Sequence, residues 1–203
     1  MNFSNQQISL RKYILLGCFF SFLALFLVSP AKTVDSAHAL KNGGAYAEND
    51  MKAIYLYNFH KFIRWPENSC TSHDGRTHVI SVIGETPLEP ILIALQEKLK
   101  KTDRDLKIIF YGPYRKDMVF NCCCLMFIAE SERHNLPSLL DHIAGKPILT
   151  VTDISASVDQ GIMINMVMHQ NKVRWVINRR PINESGLKLS AKLLDIAVKV
   201  VDE

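Results

Sequence analysis

The sequence predicts a three-layer α/β fold: a mostly parallel sheet with an antiparallel C-terminal hairpin, flanked by helices. Between residues 78 and 151, short apolar segments rich in β-branched residues alternate with amphipathic helical segments, as in successive βα units. The apolar segments are nearly continuous, which is typical of strands buried on both faces of a parallel sheet. The two strands that follow are separated by a short turn, so we expect them to pair antiparallel.

Residues 1–39 are predicted to be a signal peptide. Arg11 and Lys12 precede an uncharged apolar run over residues 13–28, and a small-x-small pattern ends at Ala39. Ala31 marks a second possible cleavage point. The apolar run is shorter than the roughly 20 residues that a membrane-spanning helix needs, although an uncleaved anchor is the alternative. We expect residues 40–47 to be a loose mature N-terminus and residues 48–203 to be one α/β domain.

Residues 52–66 predict an amphipathic helix with an aromatic face, which Pro66 would end. The residues on its apolar face are Tyr55, Leu56, Phe59, Phe62 and Ile63, and those on the opposite face are Tyr57, His60, Lys61 and Arg64. The apolar face is interpreted as core packing. The opposite face should leave an aromatic side chain among basic groups at the surface.

The central elements follow from turn and cap signals. The predicted order is a strand at 78–83, a helix opened by Thr86 and Pro87, a strand at 106–111, a weak helix at 114–120, a strand at 124–129, a helix from Ser131 to about Ala144, and a strand at 147–151.

Residues 162–168 and 173–177 predict the hairpin, with its turn around Gln170 and Asn171. A final helix is predicted from Ser185 to Val201. It would carry one narrow polar stripe and be apolar elsewhere, so we expect another element or a second subunit to cover it. In the second case the protein would be a homodimer.

Charge and motifs argue against several classes of function. Removing residues 1–39 lowers the formal net charge from +4 to +2, which is too small to indicate nucleic-acid binding. Phosphate-binding glycine loops, nucleophile elbows and zinc-protease motifs are absent from the sequence. We therefore predict no enzyme activity, no cofactor and no metal.

Two sets of residues are candidate sites. The partner-binding set combines aromatic and basic residues, which are favoured interface anchors: Tyr57, His60, Lys61, Arg64, Arg174, Trp175 and Arg179. The ligand-binding set lies at the carboxyl ends of the predicted parallel strands, where open α/β sheets bind ligands: Glu85, Thr86, Glu130, Ser131 and Asp153. Its carboxylates would favour a cationic or polyhydroxyl ligand.

Three blocks of the sequence, at 52–66, 147–165 and 173–194, resemble the YfiR-like family of small exported α/β proteins. The first contains AIYLYNFHKFIRWP, the second PILTVTD and QGIMIN, and the third VRWVIN and GLKLSAKLL. The resemblance implies a periplasmic protein that binds the periplasmic part of an inner-membrane diguanylate cyclase and inhibits it. An outer-membrane lipoprotein would sequester this inhibitor. The alternative is a periplasmic small-molecule sensor that works with a histidine kinase.

Cys70, Cys122, Cys123 and Cys124 would remain in the mature chain. Adjacent cysteines pair poorly, because a disulfide needs Cβ atoms that face each other. We therefore expect a disulfide between Cys70 and either Cys122 or Cys123. Cys123 matches a position where the resembled family often has cysteine. The remaining two would be buried thiols, an intermolecular bond or a redox sensor.

Overall fold

The computed structural model describes residues 36–67, 77–101, 105–120 and 125–202, and side chains from residue 47 onward. The strands in this part are β1 (Ile63–Arg64), β2 (Thr77–Ile83), β3 (Asp105–Gly112), β4 (Leu125–Ile128), β5 (Leu149–Thr152), β6 (Ile164–His169), β7 (Lys172–Asn178), β8 (Lys188–Leu189) and β9 (Lys199–Val201). The helices are α1 (Ser36–Phe59), α2 (Glu89–Leu99), α3 (Leu136–Ile143), α4 (Arg179–Glu184) and α5 (Ala191–Asp195). Single 3₁₀ turns cover His60–Phe62, Glu130–Glu132 and Val158–Gln160.

The main sheet has the strand order β3-β2-β4-β5-β6-β7-β9. The first five strands in this order, β3, β2, β4, β5 and β6, run parallel to one another. β7 is antiparallel to β6, and β9 is parallel to β7. The predicted α/β class, with a mostly parallel sheet and an antiparallel hairpin, is confirmed. β3 lies on one side of β2, whereas β4 and β5 lie on the other. This reversal places a topological switch point between the carboxyl ends of β2 and β4.

Successive residues of the strands pack on opposite faces of the sheet, which produces two apolar clusters. Leu125 and Phe127 of β4 belong to the larger cluster, together with Leu56 of α1 and Leu92 of α2. Met126 and Ile128 of the same strand belong to the smaller cluster, with Leu136 and Leu139 of α3. The sheet is therefore covered by helices on both faces, which explains why its central strands are apolar on both.

The aromatic helix ends earlier than predicted. α1 stops at Phe59, and a 3₁₀ turn and the short strand β1 replace its expected last turns. Pro66 disfavours helical backbone at the residue before it, and Ile63 and Arg64 find strand partners in β8 instead. The helix begins at Ser36, so it also covers residues 40–47, for which a loose terminus was predicted.

The two central helices also begin later than predicted. α2 starts at Glu89 with Pro90 in its first turn, while Thr86 accepts a hydrogen bond from the backbone N–H of Leu88 at 3.2 Å in the preceding turn. α3 starts at Leu136, because Glu130–Glu132 form a separate 3₁₀ turn. No helix forms at 114–120, where the described residues are a turn and chain without regular secondary structure.

The hairpin is confirmed. Its register pairs Ile164 with Ile177 and continues to His169 with Lys172. Gln170 and Asn171 connect the strands with φ angles of 48° and 57°. Two central residues with positive φ are the signature of a type I′ turn, whose twist matches that of paired strands.

The predicted helix from Ser185 to Val201 is wrong. In its place are a turn at Ser185 and Gly186, the strands β8 and β9, and the short helix α5. Gly186 ends the α4 turn with φ 75°, and the strand partners β1 and β7 then impose extended backbone. The surface on which dimerisation was predicted therefore does not exist, and the homodimer stays a prediction without an assigned interface.

None of the helices in the described part of the chain is long and apolar enough to cross a membrane. The predicted signal peptide up to residue 35, Cys70 and residues 122–124 lie outside the described residues. Signal-peptide cleavage and the disulfide between Cys70 and Cys122 or Cys123 therefore stay predictions.

Candidate functional site

Residues around β1 and β8 form the two walls of a surface cavity that we call the basic groove. The groove has a volume of about 390 Å³ and is lined by Lys61, Phe62, Ile63, Arg64, Lys188, Leu189 and Ser190. Three of these seven residues are cationic and none is acidic. The groove therefore combines positive charge with apolar side chains.

Local sequence features bring the two walls of the groove together. Ile63 pairs with Leu189 and Arg64 with Lys188, and the backbone N–H of Ser190 donates to the carbonyl of Phe62 at 2.9 Å. Ile63 is buried, which anchors β1 to the core while Arg64 points outward.

The turn before β8 depends on a glycine. Gly186 adopts φ 75°, and a Cβ at this position would lie 3.2 Å from Cγ of Pro66. Glycine therefore permits both the left-handed backbone and the close approach of this turn to the proline that follows β1. The adjacent Leu187 is buried and fixes the start of β8 on the core.

The cations of the groove lack acidic partners. Arg64 and Lys188 lie directly opposite each other on the two strands, an arrangement of like charges that destabilises a sheet. Lys61 donates to Oδ1 of Asn58 at 2.7 Å and lies 5.2 Å from the ring centroid of Tyr57. Among the described residues, no carboxylate forms an ion pair with Lys61, Arg64 or Lys188. An anionic group in the groove would relieve this repulsion.

A buried histidine lies directly beneath the residues that line the groove. His60, the first residue of the 3₁₀ turn, is 7% exposed and stacks on Trp65 at 5.5 Å between ring centroids. The ring of His78 from β2 lies 4.6 Å away. Burial, and then the neighbouring His78, lower the pKa of His60 to about 4. Burial, and then the charge of Lys61, also lower the pKa of His78.

The predicted exposure of three partner-binding residues is wrong. Tyr57 and His60 are buried because His78 of β2 covers both rings. Trp175 lies in the main core, where Tyr55 and Phe59 contact it edge-to-face at 5.1 and 5.3 Å between ring centroids. Its Nε1–H donates to the carbonyl of Leu193 at 3.1 Å. These three aromatic side chains therefore act in packing and cannot anchor a partner in this conformation.

The other basic residues of the predicted surface differ in their exposure and in their partners within the chain. Lys61 and Arg64 are exposed and line the groove. Arg174 is partly buried and donates to the carbonyl of Val173 at 3.2 Å. Arg179 forms a bidentate ion pair with Asp202, which lowers the pKa of this carboxyl group. The structure thus joins two of the four basic residues in one cavity with Lys188.

At the switch point, the chain's own side chains fill the space between β2 and β4. Ser131 Oγ accepts a hydrogen bond from the backbone N–H of Glu85 at 2.9 Å. A Cβ on Gly84 would lie 2.4 Å from Ser131 Oγ and 2.7 Å from Cγ of Glu132. Glu132 is buried and accepts a hydrogen bond from Asn135 at 2.8 Å. Ser131 and Glu132 therefore fill the space directly beside Gly84.

Two further carboxylates of the predicted ligand site, those of Asp153 and Glu130, form ion pairs within the chain, whereas the side chain of Glu85 is exposed. Asp153 pairs with the buried ammonium of Lys52 at 2.8 Å, and this ammonium also binds Glu48 at 2.8 Å. Glu130 pairs with Arg133 at 2.6 Å. The Lys52–Asp153 pair ties α1 to the segment after β5, whereas the Glu130–Arg133 pair is local to its turn. No group of three potential metal ligands meets anywhere among the described residues.

Sequence reasoning missed Lys188, Leu189 and Ser190, because it assigned them to a long helix. The signal for a strand was present: apolar Leu187 and Leu189 alternate with polar Lys188 and Ser190. So short an alternation is easily overlooked inside an apolar segment.

Comparison with known proteins places the chain in a family. The model of the YfiR/HmsC-like family matches residues 49–198, which include every strand from β1 to β8 and the whole basic groove. No curated protein matches the chain. The family implies a periplasmic regulator of cyclic-di-GMP signalling, and its proteins act with membrane signalling proteins. On this match over most of its length, the chain belongs to the YfiR/HmsC-like family.

Proposed function

We propose that this protein inhibits an inner-membrane diguanylate cyclase by binding the periplasmic part of that enzyme through the basic groove. It acts by binding and not by catalysis. The single observation that carries the proposal is the set of three groove cations without acidic partners among the described residues. Charges of this kind are desolvated favourably only when a partner supplies carboxylates.

The partner surface should therefore be acidic with an apolar centre. Phe62 and Leu189 lie between the cations and are partly buried, so they offer apolar contact area. Acidic side chains of the partner would reach Arg64 and Lys188, and Arg64 is able to bind a carboxylate in bidentate geometry.

The test uses a deletion strain and charge reversal. Deleting the gene should raise cellular cyclic-di-GMP, and the wild-type gene should restore it to its original level. Arg64→Glu should fail to restore it, because a glutamate would repel an acidic partner. Lys107→Glu is the matched control, since Lys107 is an exposed cation on β3 outside the groove.

Arg64→Glu separates docking from folding. The substitution replaces the Arg64–Lys188 repulsion with an opposite-charge pair across β1 and β8, which is worth about 0.2–1 kcal/mol. The variant should therefore be at least as stable in urea as the wild type, although it no longer represses. Unchanged cyclic-di-GMP in the deletion strain, or full repression by Arg64→Glu, would contradict the proposal.

The alternative of a small-molecule sensor is less well supported. It was based on an open crevice at the carboxyl ends of the strands, and Ser131 and Glu132 fill the switch point there. Binding at the basic groove accounts for the unpaired charges without an added ligand. Binding at the basic groove does not require the predicted roles of Arg174, Arg179, the outer-membrane lipoprotein or the second subunit.

A further inference from the structure

His60 couples the basic groove to the buried interior. It opens the 3₁₀ turn whose next two residues, Lys61 and Phe62, line the groove. The side chain points away from solvent, between the rings of Trp65 and His78. A movement of this ring would therefore move the β1 wall of the groove with it.

The site of His60 favours a neutral ring. Backbone groups of Val79, Tyr57 and Leu56 lie nearby and slightly favour the charged form, but neither ring nitrogen has a hydrogen bond of normal geometry. The titratable side chains around the ring in the described part of the chain are His78 on β2, Tyr57 on α1 and Lys61 on the turn. None of them is a carboxylate, so none could compensate a positive charge on His60.

We propose that acidification disables the basic groove by expelling protonated His60 from its buried site and separating residues 60–64 from β8. The proposal rests on the proposed function, because it describes how docking at this groove is regulated. The signal is the proton itself. The segment from the 3₁₀ turn to β1 has two states, closed on β8 and separated from it.

The direction and size of the effect follow from the two states of His60. The folded-state pKa is about 4 and the ordinary value is 6.5, so the closed state is fully favoured above pH 6.5 and loses its advantage as the pH falls toward 4. Between pH 7 and pH 5, the opening equilibrium constant of this segment should rise about 20-fold.

Hydrogen exchange on the purified full-length protein tests the proposal without any partner. Exchange rates of the peptides covering residues 60–65 and 187–190 are measured at pH 7 and pH 5 and divided by the intrinsic rates. We expect about 20-fold more opening at pH 5 in both peptides of the wild type. His60→Phe should remove most of this dependence, because phenylalanine fills the same apolar site and does not titrate, and should leave only the part that comes from His78. His169→Phe is the control at an exposed histidine of the hairpin.

Equal opening at the two pH values, or a pH dependence that His60→Phe does not reduce, would overturn the proposal. If His60→Phe does not fold, the NMR titration of the His60 ring in the wild type decides: a value near 6.5 rules the device out. Neither result bears on docking at neutral pH, which the repression assay with Arg64→Glu tests separately.

Discussion

Replacing Gly84 with alanine tests whether the switch point is closed by the chain's own side chains. The glycine has φ 86°, and an added Cβ would lie 2.4 Å from Ser131 Oγ and 2.7 Å from Cγ of Glu132. Neither neighbour can move freely, because Ser131 binds the backbone of Glu85 and Glu132 is buried against Asn135.

The expected loss of unfolding free energy in Gly84→Ala has three parts. Left-handed backbone costs a residue with a Cβ about 1 kcal/mol. Displacing Ser131 loses its hydrogen bond to Glu85, which costs about 1 kcal/mol. Forcing a methyl group against buried Glu132 is overpacking, at about 1–3 kcal/mol. The free energy of unfolding of Gly84→Ala should therefore fall by about 3–5 kcal/mol, a large share of the stability of an ordinary domain.

Urea denaturation monitored by circular dichroism measures this loss, and Gly145→Ala is the matched control. Gly145 also has positive φ, 71°, but nothing lies within 4 Å of a Cβ built on it. This variant should lose only the backbone part, about 1 kcal/mol. If both variants lose the same free energy, the space beside Gly84 is open and the reasoning about a closed switch point is refuted.

Two further stability predictions concern β7 and the hairpin. Trp175→Phe removes the hydrogen bond to Leu193 and part of a buried ring. The free energy of unfolding in urea should therefore fall by about 2 kcal/mol. An unchanged denaturation midpoint would contradict the core position of Trp175. Gln170→Asn should raise the melting temperature slightly, by the equivalent of about 0.5 kcal/mol, because asparagine tolerates the positive φ of a type I′ turn better than glutamine. A lower melting temperature would argue against that turn type.

The parts of the fold that the sequence could predict are those with local signals. The apolar runs of β2, β4 and β5 and the turn at Gln170 and Asn171 specify their own conformation, and the sheet class follows from their order. β1, β8 and β9 are only two or three residues long, and their extended backbone depends on partners far away in the sequence. No local pattern contains that information.

The candidate site was predictable to a similar extent. Lys61 and Arg64 were identified correctly as surface cations, because charged side chains are rarely buried. The burial of His60 was not predictable, since it is caused by His78 on another element. Trp175 was different: Val173, Trp175 and Ile177 are buried on alternate positions of β7, and this period of two was already visible in the sequence.

The position of the groove residues in the sequence determines when the groove is completed during synthesis of the chain. Its two walls come from opposite ends of the domain, and Lys188 meets Arg64 only through the β1–β8 pairing. A nascent chain that has been synthesised through strand β7 contains the aromatic helix and six of the seven strands of the main sheet, but only one of the two strands that line the groove. A fragment that ends before residue 188 would lack β8 and therefore the complete groove, so on the proposed function it should not bind the partner.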